Sequence, residues 1–328
     1  MKKCLFLILL LQTIGSNAQI TRSRPVTLMG SRFDITIVAK DLPTAEAYID
    51  SSISEISRIE NLISDWIPES QVSQINKYAG VQPVKVEKEL LELTKRAVHF
   101  SELSDGAFDI SFAAADKIWK FDGSMTAIPS FESVSESVKK IGYKNIIINE
   151  EESTIFLKFH GMKIGFGATG KGYAADKTKE LMLSKGVEAG IINASGDLNT
   201  WGKQPNGDNW IIGITNPMKE DDLFALFELS GTAVVTSGNY EKFVMIDGKR
   251  YSHIIDPRTG YPPSGVSSAT VFAKSAETAN GISTAIMVLG KKAGLQLLKR
   301  IPGLQGIIID DRGKIFYSKG FDIKKYKQ

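Results

Sequence analysis

Apolar residues change their spacing along the chain, and each spacing predicts a different kind of element. From Met29 to Ile37 they alternate with polar residues, which is typical of a half-buried strand. From Ala45 to Ile63 they recur every three or four positions, after a proline that suits a first helical turn. The pattern predicts a strand followed by a long amphipathic helix that ends near Ser64.

The rest of the chain continues to alternate between helical and strand-like patterns. A second helix is predicted from Glu89 to Leu103, a third from Tyr173 to a Gly186 cap, and a fourth from Ala276 to Leu289, where Gly290 stops it. Predicted strands lie at residues 146–148, 155–157, 162–164, 191–192, 210–214, 224–229 and 233–235, the first two as a hairpin.

The order of these elements predicts the fold class. Helices and strands interleave without a regular βαβ period, and the sequence contains neither a tandem repeat nor a low-complexity linker. We therefore expect one compact α+β domain over residues 19–328, with mixed or antiparallel sheets flanked by helices, either as one unit or as two intimately joined lobes.

The first residues predict export. Lys2 and Lys3 precede an apolar run from Leu5 to Leu11, and small residues reach Ala18. This is the pattern of a signal peptide cleaved after Ala18. The alternative, an uncleaved membrane anchor, is disfavoured because the run is shorter than the ~20 residues that a spanning helix needs. We expect a periplasmic protein that is soluble or peripheral.

Cysteine content and charge narrow the chemistry. The only cysteine, Cys4, lies in the predicted signal peptide, without the small apolar residues that a lipoprotein cleavage box places before it. The mature chain would therefore contain no disulfide, no thiolate metal site and no cysteine nucleophile. The formal net charge of +3 includes Lys2 and Lys3, so little charge remains to attract nucleic acid or an anionic membrane. A small molecule or a protein is the expected partner.

Residues 165–172 form a glycine-rich turn before the third predicted helix. Gly165, Gly167 and Gly170 match a dinucleotide fingerprint, and Lys171 gives most of a P-loop, but Gly172 lacks the hydroxyl that a P-loop uses to hold Mg²⁺. Backbone N–H groups at a helix start, together with a lysine, still form a phosphate-binding cradle. The alternative is a tight loop with a surface lysine.

Polar side chains elsewhere suggest a catalytic group and a cation site. His253 lies among polar residues where a short apolar strand meets a Pro/Gly turn, whereas His99 and His160 fit structural or solvated positions better. Asn280 and Thr284 are four positions apart on one predicted helix, so both can reach one cation, and oxygen ligands suit Mg²⁺. The alternative is that both pack among small residues.

These pieces occur in the order found in one family. The matching segments are Met29-Gly30-Ser31, Ser64-Asp65-Trp66 through Ser70 to Asn76, Gly106-Ala107-Phe108-Asp109, Lys171-Gly172-Tyr173 with Asp176, Asn193-Ala194-Ser195-Gly196-Asp197, Thr236-Ser237-Gly238, and Ser252-His253-Ile254-Ile255-Asp256-Pro257-Arg258-Thr259-Gly260. From about Met29 to Gly290 the chain resembles the FAD:protein FMN transferases, the ApbE family.

The resemblance implies a site and a reaction. FAD would lie against Met29, Trp66, Ala107, Phe108, Asp109, Lys171 and Ile255, with aromatic side chains stacked on its flat rings. Mg²⁺ would be held by the backbone carbonyl of Ala168 and the side chains of Asn280 and Thr284.

In that reaction a threonine hydroxyl of an acceptor protein attacks FAD and AMP leaves. Lys171 would stabilise the diphosphate, His253 would orient or deprotonate the hydroxyl, and Asp256 would fix the histidine ring. The acceptor implied by the resemblance is a membrane redox-complex subunit.

The chain departs from the family pattern at three positions. Asn280 and Gly165 stand where the family usually carries aspartate, and Ser195 replaces a glycine of a Gly-Gly-Asp segment. A neutral amide attracts a hard dication less than a carboxylate does. Two alternatives therefore remain: an Mg²⁺-dependent FAD pyrophosphatase, in which water replaces threonine, and a non-catalytic periplasmic FAD-binding protein.

Overall fold

The computed structural model describes residues 19–115 and 117–322, except for the side chains of residues 220 and 221. The predicted signal peptide at residues 1–18 lies outside the described residues. The helices are α1 (Leu42–Ile63), α2 (Gln71–Lys77), α3 (Lys88–Leu103), α4 (Phe131–Val138), α5 (Gly170–Ser184) and α6 (Ala276–Arg300), with 3-10 turns at Ile110–Ala114 and Tyr143–Asn145.

The strands are β1 (Ile20–Leu28), β2 (Ser31–Ala39), β3 (Val84–Lys85), β4 (Ile146–Asn149), β5 (Thr154–Leu157), β6 (Gly190–Ala194), β7 (Asp197–Trp201), β8 (Trp210–Asn216), β9 (Lys219–Leu229), β10 (Ala233–Gly238), β11 (Phe243–Ile246), β12 (Lys249–Ser252), β13 (Ser268–Ala273), β14 (Gln305–Ile309) and β15 (Ile315–Tyr317).

An eight-stranded antiparallel sheet organises the molecule. Its strand order is β1-β2-β6-β7-β10-β13-β14-β15. Two-residue turns join β1 to β2 at Met29-Gly30 and β6 to β7 at Ser195-Gly196, and all four of these residues have positive φ. Positive φ at both central residues is what a type I′ hairpin turn requires. Because β2 pairs with β6, the two turns lie at the same end of the sheet.

Both faces of this sheet are covered. Helices α1, α5 and α6 pack on one face, and the β8–β9 hairpin encloses a smaller apolar cluster with Leu198, Phe272 and Ile307 on the other. Every residue of β7 and of β13 is buried, as expected for central strands between two layers.

Two smaller sheets complete the α+β fold. Strands β3, β5 and β4 form an antiparallel sheet beside α2 and α3. The β11–β12 hairpin packs on Trp119, whose ring stacks on Tyr251 at 5.5 Å between ring centroids. This hairpin leads directly into His253.

Local capping explains where the two longest helices begin. Asp41 accepts a hydrogen bond from the Thr44 amide at 2.8 Å at the start of α1. At the start of α6, Asp176 accepts hydrogen bonds from the Ala276 and Glu277 amides at 2.8 and 3.0 Å. A carboxylate at a helix N-terminus also complements the helix dipole, so Asp176 ties α5 to α6.

Most of the strongly periodic elements are confirmed, with three corrections. Helix α5 begins at Gly170, three residues before the predicted start, and the region after Gly290 is helical again up to Arg300. Gly290 does interrupt α6, since its φ of 77° is not helical. The strand predicted at residues 162–164 is wrong, because these residues adopt no regular structure.

Within the described ranges, 19–115 and 117–322, no helix combines the length and the apolar character needed to cross a bilayer.

Candidate functional site

A cleft opens at the end of the main sheet that carries the two hairpin turns. It consists of two adjoining cavities of about 380 and 830 Å³ that share Asp65, Trp66, Gly167 and His253 in their walls. Ten of the twelve residues given a role from the sequence line it: Met29, Trp66, Ala107, Phe108, Asp109, Ala168, Lys171, His253, Ile255 and Thr284. Asp256 and Asn280 are not among the lining residues. The fold therefore brings together residues that are far apart in sequence.

One wall of the cleft comes from the β1–β2 turn and the end of α1. Met29 has a φ of 50°, and its amide donates to the Glu60 carboxylate at 3.1 Å. The carboxylate holds a residue in the left-handed region, which non-glycine residues rarely adopt. The Met29 side chain is thereby kept at the cleft.

The glycine-rich turn is fixed by an asparagine that takes the place of a strand. The Asn76 side chain accepts from the Ile164 amide at 2.7 Å and donates to its carbonyl at 2.9 Å. These two bonds reproduce, at Ile164, the pairing that a neighbouring strand would give, so this residue is held in place without a sheet. Residues 165–172 then reach the start of α5 in a fixed position.

A close contact between helices sets the angle at which the turn enters α5. A Cβ atom on Gly172 would lie 2.5 Å from the Ala276 carbonyl oxygen. Only glycine allows this approach of α5 to α6. As a result the Lys171 side chain is brought beside Asn280 and Asp197.

Lys171, which lines the larger cavity, forms a polar cluster with the buried side chains of Asp197 and Asn280. The Lys171 ammonium lies 3.1 Å from the Asp197 Oδ2 atom and the Asn280 Nδ2 atom donates to Asp197 Oδ1 at 3.4 Å. Burial raises the pKa of the Asp197 carboxyl, and the Lys171 ammonium opposes that rise. Asp197 was part of a motif in the sequence but had no assigned role there.

The Asn280 side chain fits a cation ligand. It is 6% exposed, and its Oδ1 atom has no hydrogen-bond partner among the described residues. A buried carbonyl oxygen without a donor is unusual and is stabilised by a ligand that accepts its lone pair. Ala168 and Thr284 line the smaller cavity, whereas Asn280 is not among its lining residues. The described part of the chain contains no cluster of three or more His, Cys, Asp or Glu side chains that could hold a metal ion.

His253 projects into the cleft with a defined tautomer. Its Nδ1 atom lies 3.1 Å from the Lys242 carbonyl oxygen, which can only accept, so Nδ1 carries the proton and Nε2 has a free lone pair. Desolvation lowers the pKa of His253; the hydrogen bond to the Lys242 carbonyl opposes this fall, and the Lys242 and Lys171 ammonium groups add to it. The ring is therefore neutral at neutral pH and able to accept a proton.

Asp256 does not make the contact expected from the sequence. Both of its carboxylate oxygens bond to the Arg258 guanidinium at 2.8 Å, and Oδ1 also accepts from the Arg258 amide. The proposed orientation of His253 by Asp256 is therefore wrong, since the Lys242 carbonyl takes that position. Asp256 instead stabilises the turn that follows; the short strand expected at Ile254 and Ile255 is also absent, since β12 ends at Ser252.

The aromatic residues at the cleft differ in what they offer. Trp66 is 75% exposed, so its ring is open for stacking. The Lys117 ammonium lies 3.9 Å from the centroid of this ring, in a cation–π contact. Phe108 is buried and meets Phe100 edge-to-face, so its side chain is packed in the core.

Asp109 is already engaged within the protein. Its carboxylate caps the 3-10 turn by accepting from the Ser111 amide and also accepts from the Tyr143 amide, both at 2.8 Å. Burial raises its pKa. Asp109 thus fixes the loop that forms one wall of the cleft.

Sequence reasoning missed four charged residues of the cleft: Glu60, Asp65, Glu241 and Lys242. Glu241 lies near Lys171 and Asp197, and desolvation raises its pKa. Asp65 stood in a quoted motif and so had a signal, whereas Glu241 and Lys242 follow no periodic pattern. His99 and His160 are exposed, as expected.

Comparison with known proteins identifies the family of this chain. A family model described as the ApbE family matches residues 29–308. The chain belongs to the ApbE family. The matched residues include the end of the main sheet, the glycine-rich turn and α6, which contribute to the cleft and to the polar cluster beside it.

Relatives match over nearly their whole length. An FAD:protein FMN transferase of Klebsiella pneumoniae is 30% identical over 298 residues, which cover 90% of this chain and 91% of the relative. One from Treponema pallidum is 29% identical and covers 93% and 89%. The crystal structure of the ApbE protein from Thermotoga maritima has a TM-score of 0.85 and 31% identity, covering 94% of this chain and all of that one. The ApbE-like α+β fold is thus confirmed.

Proposed function

We propose that this chain is an FAD:protein FMN transferase, an enzyme that moves FMN from FAD to a threonine hydroxyl of an acceptor protein and releases AMP. The observation that carries the proposal is the cleft lined by Lys171 and the neutral His253 ring, with the unpartnered Asn280 oxygen in the polar cluster that Lys171 forms with Asp197. Several ApbE-family relatives bear the name of this transferase, which supports the same reaction here.

The bond changes follow from the chemistry of a diphosphate. The threonine oxygen forms a bond to the FMN-side phosphorus, the bond from that phosphorus to the bridging oxygen breaks, and AMP leaves with that oxygen. Nε2 of His253 accepts the hydroxyl proton, since Nδ1–H is held by the Lys242 carbonyl. The Lys171 ammonium, at the start of α5, stabilises negative charge on the diphosphate.

FAD would fill both adjoining cavities. The exposed Trp66 ring offers a stacking surface, and Met29, Ala107, Phe108, Asp109 and Ile255 shape the walls around it. Phe108 and Asp109 would contribute shape and backbone groups, because their side chains are engaged in the core. The diphosphate would then lie between the glycine-rich turn and α6.

The residues present fit a divalent cation. Oxygen donors are available from the Asn280 side chain, the Thr284 side chain and the Ala168 carbonyl, which is the type of ligand that Mg²⁺ prefers. A bound Mg²⁺ would neutralise charge on the diphosphate and on the leaving phosphate. The Asn280 oxygen would bind this ion without adding a formal charge.

The cellular location and the acceptor protein belong to the same proposal. We expect export to the periplasm, by the signal-peptide pattern of residues 1–18, and an acceptor that is a membrane redox-complex subunit with a threonine outside the cytoplasm. Both follow from the sequence pattern and the family resemblance.

A gel assay tests the proposal. The mature protein is incubated with FAD, Mg²⁺ and an acceptor domain, and flavin fluorescence is imaged after denaturing electrophoresis while AMP is quantified. A fluorescent acceptor band, lost when its threonine is replaced by alanine, is the expected result. Free FMN and AMP without a labelled band would show a pyrophosphatase instead, and bound FAD without AMP would show a binding protein.

A further inference from the structure

The polar cluster of Lys171, Asp197 and Asn280 contains one negative charge in an unusual place. Asp197 is 4% exposed and Asn280 is 6% exposed, so both side chains are shielded from water. The carboxylate lies on β7, directly after the Ser195-Gly196 turn, whereas the amide lies on α6. The negative charge of the cluster therefore comes from strand β7, and helix α6 supplies a neutral amide.

The Asp197 carboxylate determines which way the Asn280 amide points. An ionised carboxylate only accepts hydrogen bonds, so the Nδ2 atom must face Asp197 Oδ1, at 3.4 Å. The reverse orientation would bring two acceptor oxygens to this distance. The Asn280 Oδ1 atom is consequently turned away from Asp197, where it has no partner among the described residues.

The same carboxylate forms an ion pair with the lysine, by proximity of charge and without a well-aligned hydrogen bond at its Oδ2 atom. Its Oδ2 atom lies 3.1 Å from the Lys171 ammonium, and the Ala194 carbonyl is 3.5 Å from that ammonium. The pair is electrically neutral before any cation enters. A second carboxylate at position 280 would lie against Asp197 with a single ammonium to balance two charges.

We propose that Asp197 is the positioning residue of the cation site: it holds Lys171, turns the Asn280 oxygen toward the cation, and carries the negative charge that position 280 lacks. This inference rests on the proposed function. The inference explains why position 280 carries an asparagine. The neutral amide lets the cleft fold without metal, while the negative charge stays on Asp197, the neighbour of Asn280.

Thermal unfolding with and without divalent cation tests the pairing of the two positions. The mature protein and its Asn280→Asp, Asp197→Asn and double variants are compared in chelator and in Mn²⁺, with no FAD or acceptor present. In chelator, Asn280→Asp should lower Tm by at least about 5 °C, because two buried carboxylates repel. Adding Asp197→Asn should return Tm to within about 2 °C of wild type, since one carboxylate remains in the pair.

Mn²⁺ affinity, measured by electron paramagnetic resonance of the free ion, separates positioning from a merely structural role. We expect Asp197→Asn to weaken Mn²⁺ binding at least about tenfold, as removal of outer-shell partners does in other metal sites. The control Asn280→Ala, which removes the oxygen without adding charge, should also weaken Mn²⁺ binding but keep a near-wild-type Tm in chelator.

The outcomes are decisive in either direction. A wild-type Mn²⁺ affinity in Asp197→Asn, an unchanged Tm of Asn280→Asp in chelator, or a double variant no more stable than Asn280→Asp would each overturn the inference. If Asn280→Asp does not fold, the affinity of Asp197→Asn decides alone. Because neither FAD nor acceptor is used, these results are independent of whether flavin transfer is found.

Discussion

At the scale of single residues, the candidate site depends on groups whose hydrogen bonds leave one atom free. His253 is held through Nδ1 and is free at Nε2, and Asn280 is held through Nδ2 and is free at Oδ1. The sequence identified both residues because polar groups stood out at a strand end and on a helix face. It could not identify their partners, Lys242 and Asp197, since pairing through space leaves no spacing to read.

Replacement of His253 by alanine tests its role as the proton acceptor. We expect kcat for flavin transfer to fall by roughly 10²–10⁴-fold, the usual contribution of general base catalysis. FAD affinity, measured by fluorescence titration, should change less than about threefold, since the proton is exchanged with the acceptor hydroxyl. A variant that loses FAD binding in proportion to kcat would instead make His253 a binding residue.

Trp66 is predicted to contribute binding without contributing stability. The Trp66→Ala variant should bind FAD about 5–10-fold more weakly, because a stacked aromatic contact contributes roughly 1 kcal/mol beyond the area it buries. Its Tm should stay within about 1 °C of wild type, since the side chain is 75% exposed. Calorimetry of FAD binding and a thermal melt provide the two measurements, and unchanged FAD affinity would place the flavin and adenine rings elsewhere.

At the scale of elements, periodicity predicted several helices and strands that bury one face and expose the other. Helices α1 and α3 and the β4–β5 hairpin show one buried face, and their patterns were clear. Strands β7 and β13 were missed, because both faces are covered and the apolar-polar alternation disappears. The strand predicted at residues 162–164 failed because Asn76 supplies the pairing, and an asparagine side chain has no strand-like pattern.

The glycine residues of the glycine-rich turn differ in how much stability depends on them, and a matched pair of variants tests this. Gly172→Ala should destabilise the protein by about 2–3 kcal/mol, because the added Cβ would lie 2.5 Å from the Ala276 carbonyl oxygen in rigid helix backbone. This cost exceeds the gain of about 1 kcal/mol that alanine brings inside a helix.

The control is Gly167→Ala in the same turn, where a Cβ would meet no atom within 4 Å. Its free energy of unfolding should lie within about 0.5 kcal/mol of wild type in urea denaturation. Equal losses in the two variants would show that α5 and α6 do not approach as closely as the structure has them.

At the scale of the whole molecule, the cleft is assembled from the sheet turns, the end of α1, the glycine-rich turn, α6 and the segment that follows the β11–β12 hairpin. Most of the ordered family motifs contribute residues to this cleft, although Met29-Gly30-Ser31 and Ser64-Asp65-Trp66 share one wall and Thr236-Ser237-Gly238 lines neither cavity. The pKa of His253 is a property of the assembly: desolvation by the walls lowers it, and so do the Lys242 and Lys171 ammonium groups, which come from different parts of the chain.

The acid limb of the pH–rate profile reports this environment. His253 accepts a proton only when neutral, so the rate falls as the pH drops through its pKa; because that pKa is lowered, the fall should occur below pH 6.5, the ordinary value for histidine. Transfer rates measured from about pH 4.5 to 8 in buffers of constant ionic strength provide the test. Lys242→Gln, which removes one ammonium but keeps the backbone carbonyl that holds Nδ1, should move the limb toward higher pH. A limb above pH 7 in the wild-type protein would contradict a desolvated His253 beside two lysines.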